Sequence, residues 1–175
     1  MKINRLLSLK FSREEKRFLK YFAASFVFFY AILKILPLQP LNLLVAFIQE
    51  KMLFYAGYAV FRVGTTLLVD GAAFEIVLEC SGLLLMALFF SLLYATRTKI
   101  SKPRLLGYFA FFFIFNLFRL AFTLGVGATY GQGALDVVHP ALWFVDSAVV
   151  FAAWAKEYGF KLPRAENSFG TRRNR

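Results

Sequence analysis

The sequence predicts an α-helical integral membrane protein: about four transmembrane helices, an outer amphipathic helix and a short extracytoplasmic β-hairpin. Three observations carry this. Hydrophobic residues make up 59% of the 175, with 23 Phe among them, well above the roughly half that a soluble domain uses. Several apolar runs reach the roughly 17–25 residues that an α-helix needs to cross a bilayer. Basic residues flank those runs. Seven Lys/Arg lie in residues 1–20, four in "RTKISKPR" (97–104) and six from Lys156 onward, 17 of the 21 in all. Cytoplasmic loops carry such an excess, and basic ends also rest on anionic headgroups. The net charge of +11 thus reads as topology, with no nucleic-acid partner.

Taken in order, residues 1–20 form a basic cytoplasmic N-terminus. The first span is 21–36, within "FLKYFAASFVFFYAILKIL". No small-x-small cleavage site follows it, only "PLQPLNLL", so it reads as a retained anchor. Residues 41–63 are apolar, but Gln49, Glu50 and Lys51 fall together in the middle. If this segment crossed, the two basic ends would face opposite sides. Left uncrossed, it keeps all three basic clusters in the cytoplasm, so it reads as an amphipathic helix on the outer surface. In "TTLLVDGAAFEIVLEC" the Asp70-Gly71 pair is a hairpin turn signal. Phe74, Ile76 and Leu78 alternate with Glu75, Val77 and Glu79, which predicts a β-hairpin over 65–79. Spans follow at 81–97, 105–126 and 139–155, and a basic cytoplasmic tail at 156–175, of which "RAENSFGTRRNR" is expected to be disordered. All of this is one membrane domain in the cell membrane, with both termini cytoplasmic.

One cysteine and one histidine exclude an internal disulfide, a thiolate zinc cluster and an iron–sulfur site. No metal and no cofactor are expected. The topology makes a further statement about the few polar residues. Cys80 stands at the outer entrance of the second span and His139 at that of the fourth. Arg119 lies about five residues, roughly 8 Å of helix rise, below the outer end of the third. Three helices thus bring a thiol, a guanidinium and an imidazole to the outer leaflet.

Those groups suit nucleophilic chemistry. Only a thiolate attacks strongly, and a helix N-terminus and a nearby cation both lower a thiol pKa. A poised Cys80 should then react with an impermeant alkylating reagent faster than a free thiol. His139 can take the thiol proton and return it to a leaving amine. Arg119 can stabilise an oxyanion. Gly82 leaves room for a substrate backbone. Asn116 shares a helix face with Arg119, where it holds the guanidinium or donates to substrate. Asp146 is expected to pair with Arg119 from the neighbouring helix. Each residue also has a plain structural reading: a small buried thiol, a snorkelling arginine, an interfacial histidine, an interhelical amide. An intramembrane charge nevertheless points to function, because leaving it unpaired is expensive.

"FEIVLECSGLLLM", then "NLFRL", then "HPALW" resembles the exosortase/archaeosortase family of membrane cysteine transpeptidases, over about residues 60 to 156. The resemblance implies an active site of Cys80, Arg119 in an Asn-x-x-Arg segment, and His139, a position taken by Arg in some members. It implies exported substrates with a C-terminal motif, a hydrophobic helix and a basic tail. Such substrates are cleaved through a thioester and passed to an acceptor, often a lipid. The chain lacks the additional spans of longer members and resembles the compact ones. Two rivals stand beside this reading. A protease built on Ser81 is similar to the rhomboid Gly-x-Ser-Gly pattern, but the first glycine is here Glu79. A non-enzymatic scaffold or small carrier would use Arg119 and Asp146 as a structural ion pair.

Overall fold

A computed structural model describes residues 12–159; most of the N-terminal basic stretch and the tail from residue 160 lie outside them. Helix α1 (Arg13–Ile35) starts in a capping box. The Glu15 N–H donates to Ser12 Oγ at 3.2 Å, and the Ser12 N–H to Glu15 Oε2 at 2.7 Å, satisfying two donors that the first turn leaves free. Helix α1 thus takes in residues 13–20, expected as part of the cytoplasmic terminus. It stops at Leu36, held extended by the proline that follows it.

Helix α2 (Gln39–Tyr55) carries Pro at its first turn, where a missing N–H costs nothing. It buries Val45, Ala46, Gln49 and Leu53. The amphipathic helix expected over 41–63 therefore ends early. Gly57, at φ +93°, turns the chain, and residues 60–63 are a strand. The expected hairpin is likewise a three-stranded meander: β1 (Val60–Val63), β2 (Thr66–Val69) and β3 (Ala72–Glu75), antiparallel in the order β1-β2-β3. The Asp70-Gly71 turn joins β2 to β3 as expected, with φ of +48° and +87°, the left-handed pair of a type I′ turn. The first turn, through Gly64 and Thr65, adds the strand that alternation alone did not mark. Leu67, Val69 and Ile76 are buried beneath the sheet.

A short 3-10 turn (Leu78–Cys80) leads to Gly82 at φ +77° and then to α3 (Leu83–Ala95). Helices α4 (Lys102–Tyr130) and α5 (Gln132–Tyr158) follow, separated by Gly131 alone. Helix α5 begins seven residues before His139, the expected start of the last span, and contains Pro140. His139 is therefore inside a helix, one turn and more from its N-terminus. By length and composition α1, α4 and α5 can cross a membrane, against about four spans expected. Helix α3 is more apolar than these three but has 13 residues, about 20 Å of rise.

The helices pack as antiparallel neighbours. Tyr21 of α1 meets Tyr94 of α3 at 6.3 Å between ring centroids, while Lys34 at the far end of α1 meets Glu79 just before α3. Tyr108 of α4 donates to Glu157 of α5 at 2.9 Å. One end of the molecule thus gathers Arg17, Arg97, Arg104 and Lys156, and the other gathers α2, the sheet and Cys80. Two cores follow the same division. Leu85, Phe89, Leu92, Phe112 and Val150 fill the basic half. Val45, Leu53, Leu67, Ile76, Leu120 and Leu124 fill the half beneath the sheet.

Candidate active site

The sheet hands the chain to the 3-10 turn, and the turn fixes Cys80. Its N–H donates to the Val77 carbonyl at 2.9 Å, and its thiol is free and half-buried. Cys80 does not begin α3 as expected, because the cap is Gly82, two residues later. Its carbonyl accepts from Asn116 Nδ2 at 2.7 Å, a bond that ties the Cys80 turn to α4. Asn116 is wholly buried and reaches that carbonyl through the space at Gly82. A Cβ on Gly82 would stand 3.0 Å from Asn116 Cβ. The room that glycine leaves is thus filled by Asn116 rather than by substrate.

One turn further along α4 lies Arg119, on the same face as Asn116. It is buried and forms a hydrogen-bonded ion pair with Asp146 of α5; the pairing expected between these residues is present. The pair is incomplete as a network: among the described residues Arg119 Nε and Asp146 Oδ1 are buried without partners, as is Asn116 Oδ1. A cavity of about 270 Å³ opens onto it, walled by Phe26, Leu84, Leu88, Trp143 and Ser147, with Glu79 at its edge. Asn116 holds the Cys80 main chain rather than Arg119, so of the two roles expected for it the structure does not use the first.

His139 stands about two turns from Asp146 on one face of α5. Its ring packs 5.9 Å from that of Trp143, which lines the cavity. No hydrogen bond joins it to Cys80 or Arg119 among the described residues. Contacts thus join Cys80 to Asn116 and Arg119 to Asp146, two pairs set one turn apart on α4, and His139 borders the second through Trp143.

Burial pushes the Cys80 thiol above its ordinary range. The Val77 main chain and the Arg119 charge pull the other way without overcoming it. This reverses the expected lowering, since Cys80 lacks a helix N-terminus and lies largely out of water. In this environment the protonated thiol is favoured over the thiolate.

Ser81, the rival nucleophile, is wholly buried. Its Oγ donates to the Leu78 carbonyl at 2.6 Å and accepts from the Leu83 N–H at 3.3 Å. It shapes the turn, and its buried hydroxyl bonds only main-chain groups among the described residues.

Sequence reasoning missed two contributors. Glu79 forms an ion pair with Lys34 at 2.8 Å, linking the Cys80 turn to the end of α1 and holding the Glu79 carboxyl below its usual range. Gln49, wholly buried, donates from Nε2 to the Leu117 carbonyl at 2.9 Å, docking α2 onto α4 beside Asn116. The polar group at Gln49–Lys51 in an otherwise apolar stretch was the available signal for Gln49; nothing local marked Lys34.

The family model described as Transmembrane exosortase (Exosortase_EpsH) matches residues 14–155 of this chain. No curated protein and no solved structure matches it.

Proposed function

Because this chain belongs to the transmembrane exosortase family, whose role at the membrane is of the transpeptidase type, we propose that Cys80 is its nucleophile and that it processes exported proteins at the outer membrane face. The substrates in this reading carry a C-terminal motif, a hydrophobic helix and a basic tail. The Cys80 sulfur attacks the scissile carbonyl as His139 takes the thiol proton. Arg119 holds the negative oxygen of the tetrahedral intermediate. The carbon–nitrogen bond then breaks, the amine leaves with the proton from His139, and a thioester remains on Cys80. An acceptor nucleophile, a membrane lipid in this reading, attacks the thioester and releases the thiol.

The observation that carries this reading is the hydrogen bond from Asn116 to the Cys80 carbonyl. It locks the thiol-bearing turn onto the helix face that presents Arg119. Arg119 is preorganised by Asp146, as oxyanion stabilisation requires. Helix α3 supports four passes, because it runs antiparallel to α1 and joins the Lys34–Glu79 end to the Tyr21–Tyr94 end. In this reading Cys80 and the sheet face outward. A substrate helix confined to the same membrane meets the site at high effective concentration.

The scaffold reading takes its support from the Arg119–Asp146 pair, which would also hold α4 to α5 without chemistry. Mass spectrometry of the C-terminal peptides of surface proteins separates the two readings. In a Cys80→Ala strain that accumulates the protein normally, the substrates keep their hydrophobic tails, whereas wild type removes them. Identical C-termini in both strains would leave the scaffold.

A further inference from the structure

The outer end of the molecule carries a second concavity that the reaction leaves without a role. It holds about 550 Å³. Leu38, Gln39 and Asn42, where α1 turns into α2, form one wall; Glu75, Val77 and Glu79, on the chain leaving β3, form the other. Unlike the apolar cavity at Arg119, it counts polar residues as half of its lining, Gln39, Asn42, Glu75 and Glu79 among them. One of its polar atoms, Asn42 Oδ1, is buried with no hydrogen-bond partner among the described residues, a group that native proteins satisfy as a rule.

The main chain beside this groove is also unsatisfied. Strand β3 is an edge of the sheet. The Ile76 N–H donates to the Thr65 carbonyl at 2.9 Å, and on the far side of β2 the Asp70 N–H donates to Ala59 at 2.9 Å. An antiparallel ladder alternates between bonded and outward residues. With Glu75 opposite Thr66 and Phe74 opposite Leu67, the groups of Ala72 and Phe74 face β2, and those of Ala73 and Glu75 face away. Among the described residues nothing pairs with the outward set. The sequence of β3, "AAFE", has no Lys or Pro of the kind that guards an edge. The other edge strand, β1, carries Arg62, held by Glu50 at 2.7 Å. The unguarded edge then runs straight to the site: the Val77 carbonyl accepts from the Cys80 N–H, three residues on.

The geometry points to an extended peptide as the occupant. Only an extended chain offers alternating N–H and C=O groups to such an edge; a helix has spent its own, and a lipid tail has none. We infer that the β3 edge and its polar groove bind the segment of the exported substrate just before its hydrophobic helix, as a fourth strand that ends at Cys80. This rests on the transpeptidase reading above and adds the binding mode of its substrate. Asn42 supplies a side-chain contact to that segment, and Glu75 an outward main-chain donor.

Two measurements in intact membranes test it. Glu75→Pro removes the outward N–H while leaving the β2–β3 ladder, since Pro is tolerated at edge positions that face away from a neighbour. Processing of a tailed substrate at subsaturating level falls by about tenfold. Wild-type processing by a normally accumulated Glu75→Pro protein overturns the inference. The second measurement holds even if that variant fails to fold. Asn42→Cys is placed in the Cys80→Ala background, and single cysteines are scanned through the substrate ahead of its helix. Oxidation then gives disulfide cross-links at alternate positions, the two-residue period of a strand. No cross-link, or equal cross-linking at every position, overturns the inference. Failure here with Cys80-dependent processing intact removes the docking mode alone, whereas unchanged C-termini in the Cys80→Ala strain remove the transpeptidase reading itself.

Discussion

The two halves of this molecule treat buried polar groups in opposite ways. In the basic half, three sheltered hydroxyls turn back on their own helix: Ser25 donates to the Tyr21 carbonyl, Ser91 to that of Ala87, Thr96 to that of Leu92, and the bond from Tyr108 to Glu157 that joins α4 to α5 leaves no atom over. Around them, aromatic rings pack edge to face, as Phe89 does on Phe112 at 5.3 Å between centroids. In the half beneath the sheet, polar groups reach across helices instead. Gln49 bonds α2 to α4, Asn116 bonds α4 to the Cys80 turn, and Arg119 pairs α4 with α5. All five buried side-chain atoms left without a partner among the described residues are in this half: on Asn42, Gln49, Asn116, Arg119 and Asp146. A buried polar atom without a partner costs about 1–3 kcal/mol. One half is thus closed and self-sufficient, and the other holds binding capacity in reserve. That is the division expected between a scaffold that must hold its shape in lipid and a site that must receive a ligand.

The largest test of this contrast is Asp146→Asn. It leaves the Arg119 charge buried without a counter-ion, which costs several kcal/mol in comparable pairs, and frees the guanidinium from its orientation. Processing is expected to fall by about a hundredfold, with a lower thermal midpoint in detergent. Full activity in this variant would make the pair incidental to the site. Phe89→Ala cuts the closed half. Loss of a buried ring costs about 3–5 kcal/mol, so the unfolding midpoint drops sharply. The processing rate per folded molecule should stay within about twofold of wild type, and a rate that collapses with the ring would mean that the two halves are not separable.

The smallest effect sharpens the electrostatic side. Because burial holds the Cys80 thiol protonated, an impermeant maleimide added outside should label it more slowly than a free thiol at pH 7. Thiolate appears as pH rises, so labelling should climb through a midpoint above the ordinary value near 8.5. Arg119→Gln removes an attractive charge and should move that midpoint further up. A midpoint below that of a free thiol would restore the poised thiolate expected from the motif alone.

Composition and charge placement were enough to read a membrane bundle with its basic ends on one side, because those depend on solvent partition and not on contacts. The Asp70-Gly71 turn was legible for a similar reason: its left-handed backbone is a local demand that few residue types meet. The candidate site was legible as a set of residue types at consistent depths, and the Asp146 partner of Arg119 followed from helical spacing. The missed elements share a cause. The strand at Val60–Val63 exists because β2 pairs with it, and α5 reaches back to Gln132 because α4 ends at Gly131 with no room for a loop. Neither condition is written in the local pattern.

The sequence by itself determined where water and lipid meet the chain and which few polar side chains had to be sheltered together. Only the tertiary structure decided how they are used. Gly82 makes way for Asn116, Asn116 grips the Cys80 main chain, Ser81 is spent on its own turn, and Glu79 reaches Lys34 across 45 residues. The physical reason is that burial and hydrogen-bond pairing are properties of neighbours in space. A residue's type limits what it can do in that space, but its neighbours decide which of those things it does.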